Sequence, residues 1–276
     1  MKKLIFASLI IFSIGVIIFG KLYYEQRLDA ISIEAQESAL TSEQDTEKDE
    51  ESDESFEQLE EISEELDIAS LTKPMPNELS EKVVTSYENS ETLNLVAFGS
   101  GTLVDFHNEG LTPWPELFQE DMNQYFGDLF EVQTEDYGEM TSLDFVRDGH
   151  HEEVAELQAD IYIIEPFIWN DNGKVMNEHT VAHLRMMIEA IERVDDDSYI
   201  IVQPSQPYFE ANNYLTQIDD VRDFARSEGY DYIDHWLDWP DTNDEELLSY
   251  LEEHNLPNQE GHQIWGDSIT KWFIGH

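Results

Sequence analysis

Ser100 stands between Gly99 and Gly101 at the end of the apolar run Leu93 to Phe98, and flanking glycines let a turn take backbone angles closed to other residues. A serine in such a turn is a candidate nucleophile toward an ester carbonyl. It then needs a histidine to take its proton and a carboxylate to orient that histidine. His254 is the candidate base, with Glu253 beside it or Asp238 as the orienting group. Plainer roles stay open for both: a hydroxyl satisfying loop backbone for Ser100, and a solvated histidine beyond a helix end for His254. A literal Gly-Asp-Ser, at Gly266-Asp267-Ser268, follows Gln263-Ile264-Trp265 and no strand. Trp265, Ile269 and Phe273 fall four apart there, as on one helix face, so Ser268 is not taken as a nucleophile. His179 and His183 also stand four apart on a helical pattern, and His150-His151-Glu152-Glu153 is another cluster with ligand-like spacing. Thr180 follows His179 where a metalloprotease helix requires glutamate, and no third ligand is indicated, so neither metal nor cofactor is expected.

These residues have to be positioned by an alternation of elements. Leu93 to Phe98, Ile161 to Ile164 and Tyr199 to Val202 are short runs of the kind buried on both faces of a parallel sheet, with further candidates at Phe130 to Gln133 and Tyr230 to Asp234. Amphipathic stretches lie between or after them at Pro115 to Phe126, Glu178 to Val194, Tyr214 to Ser227 and Gly261 to Ile274. In Glu178 to Val194, for example, Val181, Leu184, Ile188 and Ile191 line one face. The fold class is α/β: a three-layer α/β/α sandwich around a five-stranded parallel sheet, flavodoxin-like in kind. In such sheets ligands bind beyond the carboxyl ends of the strands, here the loops after Phe98, Gln133, Ile164 and Asp234.

In those loops the blocks Gly99-Ser100-Gly101-Thr102, Glu165-Pro166-Phe167-Ile168-Trp169-Asn170-Asp171 and Leu256-Pro257-Asn258-Gln259-Glu260-Gly261-His262 occur in order. Together with Trp114-Pro115-Glu116-Leu117 and Tyr137-Gly138-Glu139-Met140-Thr141-Ser142, they resemble the blocks of the SGNH/GDSL hydrolases over residues 92–276. The resemblance implies an ester hydrolase or deacetylase of acylated lipid or envelope carbohydrate. It also implies an oxyanion cleft formed by Gly99, Gly101, Gly138 and Asn170, with the Asn170 amide as donor. Two positions depart from the pattern. The nucleophile position is Gly101 and the base position is Leu256, so catalysis would have to run through displaced Ser100 and His254, with Glu253 as the carboxylate. The other reading is a catalytically inactive SGNH-fold protein that binds an envelope glycan, lipid or protein partner.

Composition excludes several classes. Of 276 residues, 62 are acidic and 14 basic, and a formal net charge of -48 repels phosphate backbones, so no nucleic-acid partner is expected. Without cysteine there are no disulfides, thiolate metal sites or cysteine nucleophiles. Lys2 and Lys3 precede an uncharged run of seventeen residues, Leu4 to Gly20, with Tyr23 and Tyr24 suited to the headgroup interface. Residues 1–24 are expected to be a membrane anchor or signal segment that exports the rest, leaving a single-pass protein at the cell membrane with its domain outside, or a secreted one if the segment is cleaved. Residues 25–90 are expected to be an acidic, largely disordered stalk and linker. Fourteen of the twenty-five residues from Glu43 to Asp67 are acidic, too many to bury much apolar surface. Within it Phe56, Leu59, Ile62 and Leu66 have the spacing of a short amphipathic helix. Residues 91–276 are expected to be the folded domain.

Overall fold

The structure, a computed structural model, describes residues 67–104 and 110–275. The expected anchor at 1–24, most of the acidic stalk and the pattern from Phe56 to Leu66 lie outside the described residues. Among the described residues, no helix is long and apolar enough to cross a membrane.

Five strands, β1 (Leu93–Gly99), β2 (Phe130–Asp136), β3 (Ile161–Ile164), β4 (Tyr199–Val202) and β5 (Asp231–Tyr232), form one sheet in the order β2-β1-β3-β4-β5. Every neighbouring pair is parallel, and one row across the sheet runs Thr134, Ala97, Ile163, Ile201, Asp231. Parallel neighbours cannot be joined by a tight hairpin. The crossovers and termini supply the helices α1 (Ile68–Leu71), α2 (Asn77–Asn89), α3 (Trp114–Phe126), α4 (Ser142–Arg147), α5 (His150–Ala155), α6 (Ile168–Asp171), α7 (Asn177–Val194), α8 (Asn213–Glu228) and α9 (Gln259–Ile274).

Successive strand residues point to opposite faces, and the two cores follow that period. On one face Leu93, Leu95, Ala97, Ile161, Ile163 and Ile201 meet Leu79 and Val83 of α2, Trp114, Phe118 and Met122 of α3, and Trp265, Ile269 and Phe273 of α9. On the other, Val96, Phe98, Tyr162, Ile164, Ile200 and Val202 meet Val154 of α5, Leu184, Ile188 and Ile191 of α7, and Ile218 and Val221 of α8. Gly266-Asp267-Ser268 lies inside α9, and the Ser268 hydroxyl donates to Asp238 at 2.9 Å. Asn258 starts α9 as its cap, accepting from the Gly261 N–H at 2.9 Å, which explains why the helix opens three residues after Leu256.

The folded unit starts earlier than residue 91. Charged residues dominate the surface of α2, but Leu79 and Val83, four apart, are fully buried, and Met75 packs into the same core. Residues 67–90 therefore belong with the domain, because two turns of one helix face suffice to dock an otherwise polar segment. At the other end Gly275 closes α9 with φ +77° and sits against the Pro74 ring, where a Cβ on Gly275 would come within 2.7 Å of Pro74 Cγ.

Candidate functional site

The carboxyl ends of β1 and β3 lie side by side, and their junction fixes the residue at 99. A Cβ on Gly99 would lie 2.6 Å from the Glu165 carbonyl oxygen and 2.7 Å from its Cβ, distances no side chain tolerates. Glu165 follows β3, donates its N–H to Phe98 O at 2.9 Å, and turns its carboxylate under Ser100, the residue after β1. Its Oε2 accepts from the Ser100 N–H at 2.7 Å, while Oε1 accepts from the Ser205 hydroxyl in the loop after β4. Ser205 in turn accepts from the Trp169 N–H at 3.2 Å. Glu165 is fully buried, and burial pushes its carboxyl above the usual carboxylate range, partly opposed by the bonds from Ser100 and Ser205.

Ser100 is itself fully buried, and its Oγ is 2.9 Å from the Thr102 hydroxyl. No histidine is hydrogen-bonded to it among the described residues. The Gly101 N–H donates to Gly138 O at 2.8 Å. Gly138, at φ +54°, makes the turn after β2 in a left-handed conformation that favours glycine. Its own N–H is turned to Asp136 Oδ1 at 3.2 Å. The Asn170 side chain, at the edge of burial, gives its amide to Gly138 O at 2.8 Å and Met140 O at 2.7 Å. Gly99, Ser100, Gly101, Gly138 and Asn170 are thus brought together at the carboxyl edge of the sheet, with the Ser100, Gly101 and Gly138 N–H groups and the Asn170 side-chain amide each directed at a protein acceptor.

His254 lies apart from this cluster in role. It is exposed, with φ +73°, in the 3-10 turn Glu253–Asn255. Leu256 beside it is buried, and the loop is tied to the β4 side by Gln206 Nε2 donating to Asn255 O at 3.2 Å. Asp238, the other carboxylate considered for His254, is occupied by Lys271 at 2.7 Å and by Ser268.

Two groups of side chains escaped the sequence reading. The first is Glu165 with Ser205; a glutamate ending an otherwise apolar strand run was the available signal. The second lies where α4, α6 and α7 meet. Asp171 accepts from the Ser142 N–H at 2.8 Å, from the Ser142 hydroxyl at 2.5 Å and from the Thr180 hydroxyl at 2.6 Å. Burial raises its carboxyl above the ordinary value. Toward the other face, His235 and His262 flank Trp265, with His235 stacked on the indole at 4.4 Å. Both imidazoles are buried, and desolvation pulls each down to about 3.

The arrangement of strands and helices has counterparts among solved structures. A G-D-S-L family lipolytic protein from Desulfitobacterium hafniense superposes with a TM-score of 0.55 at 19% identity, over 66% of this chain and 99% of its own. The chain has the fold of the SGNH/GDSL hydrolases. The lipase/acylhydrolase from Enterococcus faecalis matches at TM-score 0.52 and 17% identity, over 67% of this chain and 96% of that one, and TesA at 0.53 and 12%, over 65% and 97%. No protein-family model matches the sequence, and no curated protein matches it. Within this fold Gly101 lies just beyond β1 and Leu256 just before α9, and the Gly101 N–H and the Asn170 amide are already paired with protein carbonyls.

Proposed function

We propose that this is an extracytoplasmic, membrane-anchored protein that uses an esterase-like SGNH scaffold to bind an acylated or glycan ligand of the cell envelope without hydrolysing it. The reading rests on one observation: the donors that would hold an oxyanion are spent inside the protein, Gly101 N–H on Gly138 O and the Asn170 amide on Gly138 O and Met140 O. An oxyanion hole works because its donors are aimed in advance at the charge that develops. Here they are aimed at carbonyls that would first have to be displaced. Gly101 offers no nucleophile, Leu256 no base, and the buried Ser100 hydroxyl has Thr102 as its partner. Support for a sugar or acyl ligand comes from the half-buried rings of Trp169 and Tyr208, 5.5 Å apart at the same edge, with Asn172 donating to the Tyr208 hydroxyl. Aromatic faces with a polar handle suit amphipathic ligands. The anchoring follows from the Leu4 to Gly20 run and the acidic chain beyond it.

A fluorophosphonate probe on the full-length protein tests the catalytic half of the proposal. The expected result is no covalent labelling beyond that of a Ser100→Ala variant. Labelling and ester turnover abolished by Ser100→Ala would overturn it and make Ser100 the nucleophile.

A further inference from the structure

His183 sits on α7 one turn after His179, with the two rings 6.3 Å apart between centroids. Residues four apart on a helix share a face, and two imidazoles at that spacing can close on one ion. What distinguishes this pair from two ordinary surface histidines is what lies behind His183. Its Nδ1 is 2.8 Å from Ser142 Oγ. The Ser142 hydroxyl has a single proton, and that proton is given to Asp171 Oδ2 at 2.5 Å. Toward His183 the serine can only accept. The neutral ring must therefore carry its hydrogen on Nδ1, which leaves the Nε2 lone pair free. Asp171 is held in turn by the Ser142 N–H and by Thr180, which neighbours His179 on α7. The result is a carboxylate, hydroxyl and imidazole relay of the kind that fixes the tautomer and orientation of metal-bound histidines. The ring is half-buried and His179 is exposed, so the open side faces solvent.

We propose that His179 and His183 form a binding site for a borderline transition-metal dication such as Zn2+, Ni2+ or Cu2+, with Ser142 and Asp171 as positioning residues and water completing the coordination. Two neutral imidazoles select such ions over Mg2+ and Ca2+, which prefer oxygen. The acidic surface enriches cations around the protein without choosing among them.

Calorimetric titration of Zn2+ and Ni2+ into the full-length protein, in a large excess of Mg2+ to occupy surface carboxylates, tests the site. One equivalent is expected to bind. His179→Ala, an exposed change that leaves the fold intact, should weaken binding at least about tenfold, and Ser142→Ala should do so within the roughly ten- to hundredfold range typical of lost outer-shell partners. Nitrogen-detected NMR of the imidazole of His183 separates positioning from a merely structural role. The Nδ1–H form is expected in the metal-free protein, with the metal perturbing Nε2. Equal affinity in wild type and His179→Ala, or an Nε2–H tautomer at His183, would overturn the proposal.

Discussion

Replacing His262 by glutamine should remove about half of the acid-induced loss of stability that two buried histidines, His262 and His235, impose. His262 is buried beside Trp265, and its Nδ1 accepts from the Trp114 N–H at 3.2 Å, so the neutral ring is the form that fits. His235 is likewise committed: its Nδ1 accepts from Trp239 Nε1 at 3.1 Å and its Nε2 lies 3.0 Å from Pro204 O. Burial takes both from an ordinary value of 6.5 down to about 3. The unfolded chain therefore binds more protons than the folded one between these values, and stability falls as pH drops through that window. Going from about pH 7.5 to about pH 5 should cost roughly 2 kcal/mol per histidine, about 4 kcal/mol for the two. Glutamine at 262 keeps an acceptor for Trp114 N–H but cannot be protonated. Its absolute stability will be lower at both pH values because ring packing is lost. The quantity to compare is the change with pH, measured by urea unfolding followed through tryptophan fluorescence. The variant should lose about 2 kcal/mol less than wild type on acidification. Glu165, Asp171 and the acidic surface titrate in both proteins and cancel in that difference. Equal pH dependence in the two would refute a buried neutral His262 as the source.

Glu165→Gln replaces the buried carboxylate by a group that can still accept from Ser100 N–H and bond Ser205. A carboxyl raised by burial contributes stability below its unfolded value that is lost as pH rises through the folded one, so the variant should resist urea better than wild type at alkaline pH and should not at acid pH. Gly99→Ala forces a Cβ against the Glu165 carbonyl and should destabilise by about 1–3 kcal/mol or prevent folding, read as a lowered thermal midpoint. Deleting residues 1–66 should cost less than about 1 kcal/mol, a midpoint shift of a few degrees, whereas deleting 1–90 strips out Leu79 and Val83 and should cost about 3 kcal/mol or more. Protease added outside intact cells with a permeabilised envelope should digest the domain while the protein fractionates with membranes; protection would reverse the proposed orientation.

The centre of the sheet was legible because β1, β3 and β4 are short apolar runs, and a run such as Ile161 to Ile164 reads as a strand buried on both faces, whereas β2 and β5 carry polar residues and are less marked. The long helices were legible through their apolar spacing; α7 begins one residue before the stretch read from Glu178. Helix α2 was assigned to the stalk because Glu78, Glu81, Lys82 and Glu88 outweigh its two core residues in any composition count. At the site, the gathering of Gly99, Gly138 and Asn170 followed from strand ends in one parallel sheet. The hydrogen bonds around them did not, since Asn170 to Gly138 and Ser100 to Glu165 join residues 32 and 65 apart and no local pattern marks such a pairing. For the same reason the commitment of the Asn170 amide to two carbonyls could not be read from its place in a block.

The contact of Pro74 with Gly275 means that the domain is entered and left at one spot on its surface. A domain whose first and last elements meet can be closed there and opened elsewhere with little change in what is buried, and domains of this kind tolerate circular permutation and insertion into a host loop. A linker of a few glycines and serines from Gly275 back to Thr72, with new termini cut at the exposed turn Asp195–Asp197 between α7 and β4, should give a permutant that folds. The same meeting point makes Gly275 intolerant of a side chain, because a Cβ there would press on the Pro74 ring at 2.7 Å.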